Sequence, residues 1–137
     1  MRYSFKGNAM AQALPKNTTM VSGFVSSLQE PQKPYISPNR LSKALGVPVA
    51  GLAALTGVHR NTLRNPASER LQGRMREMVK VISSAAELTG SLDKAIYWYR
   101  NEPIADYEHK TAAELLAEGH VEAVLAYLRD IGNGARG

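Results

Sequence analysis

The sequence of 137 residues predicts an all-α fold, and three observations support that prediction. Apolar residues recur at intervals of three and four along several segments, as on helices that bury one face. Capping residues and glycines stand at the ends of these segments. No segment alternates apolar and polar residues strongly enough to indicate a strand. The predicted order is an N-terminal helix-turn-helix domain joined by a long helix to a small C-terminal helical module.

Residues 1–34 are predicted to form a flexible basic arm. They contain four Lys or Arg residues and one Glu. The residues that break every candidate element in it are Gly7, Pro15, Asn17, Thr18, Thr19, Gly23, Pro31 and Pro34. An apolar patch in the arm, which could dock on a partner as a short helix or strand, consists of Met20, Val21, Phe24, Val25 and Leu28. The cations of the arm could also contact phosphates.

The first helix is predicted to begin after Ser37, a residue type that caps helix N-termini, with Pro38 at the first helical position. Gly46 and Pro48 end this helix. Its predicted buried stripe consists of Leu41, Ala44 and Leu45.

Residues 49–65 are typical of a helix-turn-helix. Gly57 stands where a chain that leaves a helix needs positive φ, which glycine adopts without steric cost. Val58 then fills the turn, and Leu63 anchors a second helix on the same core. The residues at helical spacing before the turn are Leu52, Ala53 and Leu55.

The second helix of this motif is predicted to begin near His59 and to end at Asn65, because Pro66 disfavours helical backbone in the residue before it. Such a helix enters the major groove of DNA. The candidate DNA-binding residues are His59, Arg60, Asn61, Thr62 and Arg64. Arginine can pair with guanine, asparagine with adenine, and threonine with a phosphate or a thymine methyl group. The alternative is that these helices only pack together and that the arginines are solvated surface residues.

A long helix is predicted from Ser68 and Glu69 to about Thr89, with Gly90 at its C-terminal cap position. Its predicted buried stripe consists of Leu71, Met75, Met78, Val79, Ile82, Ala85 and Ala86. The cations on its other faces, which either reach phosphates or are solvated, are Arg70, Arg74, Arg76 and Lys80.

The next helix is predicted to begin after Ser91 and to end near Arg100. Its predicted buried stripe consists of Leu92, Ala95, Ile96 and Tyr99. Tyr97 and Trp98 lie beside this stripe, and we expect the aromatic cluster to be part of the core. Thr111 and Glu114 form a capping box that opens a short helix, which Gly119 ends.

A final helix of about three turns completes the predicted fold. Its apolar residues are Val121, Val124, Leu125, Leu128 and Ile131. Residues 132–137 contain three glycines, and we expect that they do not continue the helix.

The net charge of +5 is divided unevenly along the chain. Residues 35–66 carry four Lys or Arg and no acidic residue, whereas residues 91–137 carry five basic and eight acidic residues. A basic helix-turn-helix followed by an acidic module indicates one face for nucleic acid and a separate face for another partner.

No arrangement in the sequence predicts catalysis or a metal site. Cysteine is absent, which excludes disulfides and thiolate ligands and is typical of a reducing cytoplasm. His59, His109 and His120 have no second ligand at a metal-binding spacing. No apolar run approaches the about 20 residues of a membrane span, and no signal-peptide pattern is present. We therefore expect a cytoplasmic protein that is not an enzyme and has no cofactor.

Residues 41–137 resemble the antitoxin family called Xre/MbcA/ParS, whose members are partners of RES-domain toxins. Residues 40–90 look like the helix-turn-helix of that family and its following long helix. The more specific block, residues 95–137, reads AIYWYRNEPIADYEHKTAAELLAEGHVEAVLAYLRDIGNGARG. It is similar to the toxin-binding module: a Trp-containing helix, a Pro break, a Thr-Ala-x-Glu-Leu-Leu helix, a final helix and a glycine-containing tail. Many members have Gly-Gly before the threonine and proline after it, where this chain has Tyr107-Glu108-His109-Lys110 and Ala112.

The resemblance implies that the last helix and tail block the NAD-binding cleft of the toxin, and that the complex represses its own operon. The toxin-binding residues that it implies are Leu128, Arg129, Ile131, Gly132, Asn133, Gly134 and Arg136. A glycine-rich tail could thread a narrow cleft, and Arg136 could pair with carboxylates there. Ordering such a tail costs about 1–2 kcal/mol per residue, so the preceding helix must supply most of the affinity.

We therefore expect an antitoxin of a type II toxin-antitoxin system, with an arm (1–34), a helix-turn-helix domain (35–90) and a toxin-binding module (91–137). The expected partners are a cognate RES-domain toxin and operator DNA, bound by a homodimer or within a heterotetramer or larger complex. The alternative is a stand-alone repressor whose C-terminal module serves dimerisation or ligand sensing. In a third interpretation the helix-turn-helix no longer binds DNA.

Overall fold

The computed structural model describes residues 16–134, which form seven α-helices and three short 3-10 helices. The α-helices are α1 (Lys16–Leu28), α2 (Pro38–Leu45), α3 (Leu52–Thr56), α4 (Glu69–Thr89), α5 (Leu92–Asn101), α6 (Ala112–Ala117) and α7 (Val121–Gly134). The 3-10 helices are Val49–Gly51, Arg60–Arg64 and Ala105–Tyr107. Within this range the only β-type pairings are two isolated bridges, Gln29 with Ile36 and Ile104 with Lys110. The all-α prediction is confirmed.

Helix α4 is the centre of the fold, and α1, α3, α5, α6 and α7 all pack against it. It begins after the cap residue Ser68 and ends at Gly90, whose φ of 74° closes the last turn, so both predicted ends are confirmed. All seven residues of its predicted stripe are buried, together with Val81 and Gln72. Although α4 has 21 residues, neither it nor another described helix is apolar over the length that a membrane span requires.

The prediction of a flexible arm is wrong for residues 16–28, because they form α1. Phe24 and Leu28 are buried, and α1 packs on α4 and α2. Burying two such side chains contributes about 1.5–3 kcal/mol each, which outweighs the about 1 kcal/mol that Gly23 costs inside a helix. The apolar patch predicted to dock on a partner therefore docks partly within the chain. Residues 1–15 lie outside the described range.

Helix α2 follows its prediction, with the hydroxyl of Ser37 accepting from the backbone N–H of Arg40 and Gly46 in the left-handed conformation. Leu41 and Leu45 are buried, whereas Ala44 is exposed, which corrects that part of the predicted stripe. A buried amide that the sequence did not indicate joins α4 to the segments before α2 and before α4 itself. The side-chain amide of Gln72 accepts from the N–H of Ile36 and donates to the carbonyls of Ile36 and Pro66.

The turn after α3 packs directly on the C-terminal helix α6. Gly57 has a φ of 72°, as predicted, and Val58 is buried in the turn. A Cβ atom on Gly57 would lie only 2.3 Å from the carbonyl oxygen of Ala117. Position 57 therefore requires glycine for two reasons: its φ is positive, and the carbonyl of Ala117 leaves no space for a Cβ atom.

Two arginines also join residues 35–90 to residues 91–137. Arg100 of α5 donates to the carbonyl of Leu45 at 2.9 Å, and Arg74 of α4 donates to the carbonyl of Leu116 at 2.9 Å. Each guanidinium satisfies a carbonyl near the C-terminal end of a helix, where a positive charge is favourable. The buried apolar residues form one core cluster that runs from α1 to α7.

The C-terminal helices agree with most of their prediction. The Thr111 and Glu114 capping box is present in full, and α5 begins after the cap residue Ser91. The prediction that Tyr97 lies in the core is wrong, because 61% of its surface is exposed. Tyr99, by contrast, is fully buried.

Helix α7 is longer than predicted and continues through Gly134. Gly132 does not end the helix, because α7 lies against α4 at this point. A Cβ atom on Gly132 would lie 3.1 Å from Cδ2 of Leu88. The residue thus permits a close approach between two helices.

The loop before α6 contains two consecutive residues with positive φ that are not glycine. Glu108 has a φ of 60° and His109 a φ of 63°. These angles are costly for residues with a side chain. Lys110 anchors the loop by donating to both carboxylate oxygens of Glu118, at 3.0 and 3.1 Å, and this bond raises the pKa of Lys110.

We predict that Gly57→Ala destabilises the protein more than Gly46→Ala does. The two glycines have similar φ angles, of 72° and 74°, so both alanines bear a backbone cost of roughly 1–2 kcal/mol. Only at position 57 does the methyl group also collide with another backbone, which adds about 1–3 kcal/mol. Urea unfolding of both variants measures the difference. Equal losses of stability would show that the contact with Ala117 imposes no constraint.

We predict that Tyr99→Phe makes the protein less sensitive to alkaline pH. Burial, with a smaller contribution from Glu77, raises the pKa of the Tyr99 hydroxyl, which has no hydrogen-bond partner among the described residues. The unfolded state ionises near pH 10, so stability is lost as pH rises above that value, by about 1.4 kcal/mol per unit. Urea unfolding at pH 7 and pH 11 should show near-equal stability at pH 7 and a more stable variant at pH 11. An equal loss in both proteins would contradict the prediction.

Candidate functional site

The predicted recognition helix is instead a 3-10 helix of five residues, Arg60–Arg64. Its backbone bonds span three residues, from Thr62 N–H to His59 carbonyl at 2.8 Å and from Asn65 N–H to Thr62 carbonyl at 3.1 Å. Pro66 restricts the residue before it, so too few residues remain for a stable α-helical turn. At about 2 Å per residue, the element is about 10 Å long.

The five candidate DNA-binding residues lie on this short element and, in the case of His59, on its N-cap. Arg60, Asn61 and Arg64 are exposed, whereas Thr62 is half-buried. His59 is exposed, but its Nδ1 atom accepts from the backbone N–H of Asn61 at 3.1 Å and caps the turn. The geometry therefore leaves two guanidinium groups and one amide available to a ligand.

Arg60 and Arg64 have no anionic partner within residues 16–134, whereas two arginines of α4 do. Arg74 pairs with Glu77 at 3.6 Å, and Arg76 pairs with Glu69 at 3.4 Å. These last two, which the sequence left as possible phosphate contacts, have carboxylates of their own.

Arg40, in the same basic segment, is committed to the fold. Its Nη1 atom donates to the carbonyls of Ser27 and Gln29, both at 3.2 Å, and so joins α2 to the end of α1. Lys43 is exposed on α2. The cations free to meet a nucleic acid in residues 35–66 are therefore Lys43, Arg60 and Arg64.

The second candidate surface is the C-terminal end of α7. Leu128 is buried against the core, with 5% of its surface exposed. After it no described residue is buried: Arg129, Asn133 and Gly134 are exposed, and 42% of the surface of Ile131 is exposed. Gly132 is half-buried. Arg136, the remaining predicted contact, lies outside the described residues.

A groove of about 550 Å³ runs between α4 and α7 at this end of the molecule. Its lining residues are Lys80, Ser84, Glu87, Leu88, Glu122, Leu125, Leu128, Arg129, Gly132 and Asn133. The structure thus brings Arg129, Gly132 and Asn133 together beside a groove of mixed charge. Leu88 at its edge is 44% exposed, and the sequence did not identify it as part of a site. In the sequence, nothing distinguishes Leu88 from any other surface leucine on a helix.

Two carboxylates of the C-terminal half, those of Glu114 and Glu118, stabilise the fold. Glu114 accepts from the N–H of Thr111 in the capping box, and Glu118 accepts from Lys110. Over residues 16–134, no group of three or more His, Asp or Glu side chains is arranged to hold a metal ion. The protein thus has two separate exposed surfaces: a basic turn at residues 60–64, and a surface of mixed charge and apolar character at the end of α7.

Comparison of the chain with protein-family models, with curated proteins and with solved structures gives no significant match.

Proposed function

We propose that the protein is an antitoxin that inhibits a RES-domain toxin by placing the end of α7 in the NAD-binding cleft of that toxin. The observation that carries the proposal is the exposed helical end of α7 after Leu128, where all residues except the half-buried Gly132 are exposed. This end presents an apolar side chain, Ile131, near the cation Arg129. The resemblance of residues 95–137 to the toxin-binding module supports the identity of the partner.

The helical state of residues 132–134 changes the proposed mode of occlusion from a threaded tail to a helix end. Ordering a flexible segment costs about 1–2 kcal/mol per residue. Because these residues are already helical, much of that cost is met on folding rather than on binding. Ile131 and Arg129 then supply apolar and charged contacts, and Asn133 supplies hydrogen bonds.

The same protein is proposed to repress its operon by binding DNA through the 3-10 helix Arg60–Arg64. Arg60 and Arg64 suit phosphate or guanine contacts, and Asn61 suits an adenine. An element about 10 Å long reads few base pairs, so two copies on adjacent half-sites are required for a specific site. A homodimer, alone or within a toxin-bound complex, meets that requirement.

A stand-alone repressor is the second candidate function, and the exposed basic turn favours it equally. It differs in giving α7 no role in inhibiting another protein. Whether the protein neutralises the toxin therefore distinguishes an antitoxin from a stand-alone repressor.

We predict that Ile131→Asp weakens toxin neutralisation by about tenfold or more. Burial of the exposed part of an isoleucine contributes about 1.5 kcal/mol, and an unpaired carboxylate in the interface adds a further cost. The measurement is inhibition of the product of the adjacent toxin gene at increasing concentrations of the variant. Because Ile131 is partly exposed, the melting temperature should change little.

The matched control is Val49→Asp, which alters another exposed aliphatic residue (37% against 42%) in the other half of the chain. It should neutralise the toxin as the parent does. Full neutralisation by Ile131→Asp, or by a chain that lacks residues 131–137, would reject the role of α7.

We predict that the double variant Arg60→Ala, Arg64→Ala binds the DNA upstream of its own gene more weakly and with less salt dependence. Each lost phosphate contact lowers the slope of log K against log salt by about 0.9. Fluorescence anisotropy between about 50 and 200 mM salt measures both effects. Lys94→Ala, an exposed cation on α5, is the control for net charge. An unchanged slope in the double variant would show that this turn does not contact DNA.

A further inference from the structure

Helix α5 places two aromatic side chains beside an open groove of about 410 Å³. Tyr97 is 61% exposed, the largest exposed fraction among the large apolar side chains of residues 16–134. Trp98, the only tryptophan of the chain, is half-buried and packs against the core. The residues that line the groove are Thr89, Asp93, Lys94, Tyr97, Trp98 and Glu102. The faces of such rings attract cations.

Two carboxylates line the same groove. Asp93 precedes Tyr97 by four residues and Glu102 follows Trp98 by four, so each carboxylate lies about one helical turn from a ring. Both residues are exposed, and neither side chain makes a hydrogen bond or an ion pair within residues 16–134. The groove therefore combines two aromatic rings with two anions that the fold itself does not use.

The position of Glu102 is unfavourable in the isolated chain. It is the C-cap residue of α5, and the helix dipole disfavours a negative charge at that end. Arg100, the cation in the last turn, donates to the carbonyl of Leu45 and makes no ion pair with Glu102. Asp93, in the first turn, lies at the end where a carboxylate is stabilised. The dipole thus accounts for Asp93 but not for Glu102, whereas a cation in the groove accounts for both.

The remaining lining residues leave the groove anionic. The hydroxyl of Thr89 donates to the carbonyl of Ser91 at 2.9 Å and accepts from its N–H at 3.2 Å, so this group serves the fold. Lys94 is exposed and makes no ion pair within the described part of the chain. With two carboxylates and one ammonium group, the lining is negative on a protein whose net charge is +5. Its volume is near the lower end of the range of ligand pockets, about 300–1,000 Å³, which suits one long side chain rather than a helix.

We propose that this groove binds an arginine side chain of a partner protein. The guanidinium group stacks on Tyr97 and Trp98, and it pairs with the carboxylates of Asp93 and Glu102. A guanidinium is planar, so it stacks on aromatic rings and donates to carboxylates at once, whereas an ammonium group has no such plane. Binding of arginine here requires neither the end of α7 nor the basic turn, so it goes beyond the proposed function.

The fluorescence of Trp98 in the full chain measures this binding directly, because the chain has no other tryptophan. The probe is the peptide acetyl-Gly-Arg-Gly-amide, and its control is the same peptide with citrulline, which has a similar shape and no charge. At about 0.01 M salt the arginine peptide should bind with a Kd of about 1 mM. The citrulline peptide should bind about tenfold more weakly or less, and a lysine peptide should bind more weakly than the arginine peptide.

Four variants of the chain test which side chains bind the peptide. Tyr97→Leu and Glu102→Gln should each weaken binding about threefold or more, and Glu102→Gln should keep or raise the melting temperature, because it removes a charge that the helix end disfavours. Lys94→Gln should strengthen binding, because it removes a charge of the same sign as the guanidinium. The matched control is Asp106→Asn, which removes an exposed carboxylate outside the groove and should bind the peptide as the parent does.

Equal binding of the arginine and citrulline peptides would overturn the proposal. An equal effect of Glu102→Gln and Asp106→Asn would also overturn it, because the attraction would then come from the overall charge of this region. Tighter binding of the lysine peptide would reject the assignment of the groove to a guanidinium group.

Discussion

The close approach of Gly57 to the carbonyl oxygen of Ala117 is the constraint on which the arrangement of the two functional surfaces depends. It sets the helix-turn-helix turn directly against α6, with no layer of side chains between them. Arg100 and Arg74 reinforce the same junction by donating to carbonyls of α2 and α6. The basic turn and the end of α7 are consequently held by one continuous core. Any partner that binds one surface meets the other in a defined position.

Helix ends were the most predictable part of the fold. Ser37, Ser68, Ser91 and Thr111 cap the helices that the sequence assigned to them, because each hydroxyl satisfies a nearby backbone N–H whatever the tertiary packing. The stripe of α4 was equally predictable from its period. Gln72 was not, since its three buried hydrogen bonds reach Ile36 and Pro66, which are distant in the sequence.

The errors at α1 and α7 share a physical cause, because packing outweighed the local preference of glycine against helix. Helix α1 forms despite Gly23 because Phe24 and Leu28 reach the core. Helix α7 continues through Gly132 because that glycine fits against Leu88. The reverse holds for Arg60–Arg64, where the restriction from Pro66 prevents a full α-helix. Of the candidate DNA-binding residues, Arg60, Asn61 and Arg64 are exposed as the sequence predicts, whereas Thr62 is half-buried. The sequence could not show that Leu128 is buried and that His59 caps the turn, because both depend on the folded backbone.

The loop at Glu108 and His109 shows how side-chain contacts hold a backbone conformation that is costly for residues other than glycine. Both residues have positive φ. The backbone would suit glycine, whereas here the bond from Lys110 to Glu118 anchors the loop with larger side chains.

The central claim is that the end of α7 occupies the NAD-binding cleft of a toxin. A crystal structure of the chain with the product of the adjacent toxin gene tests it most directly. The account predicts that residues 129–134 lie inside the cleft, with Ile131 buried and Arg129 paired with a toxin carboxylate. A complex in which the cleft is open and α7 ends in solvent would contradict it.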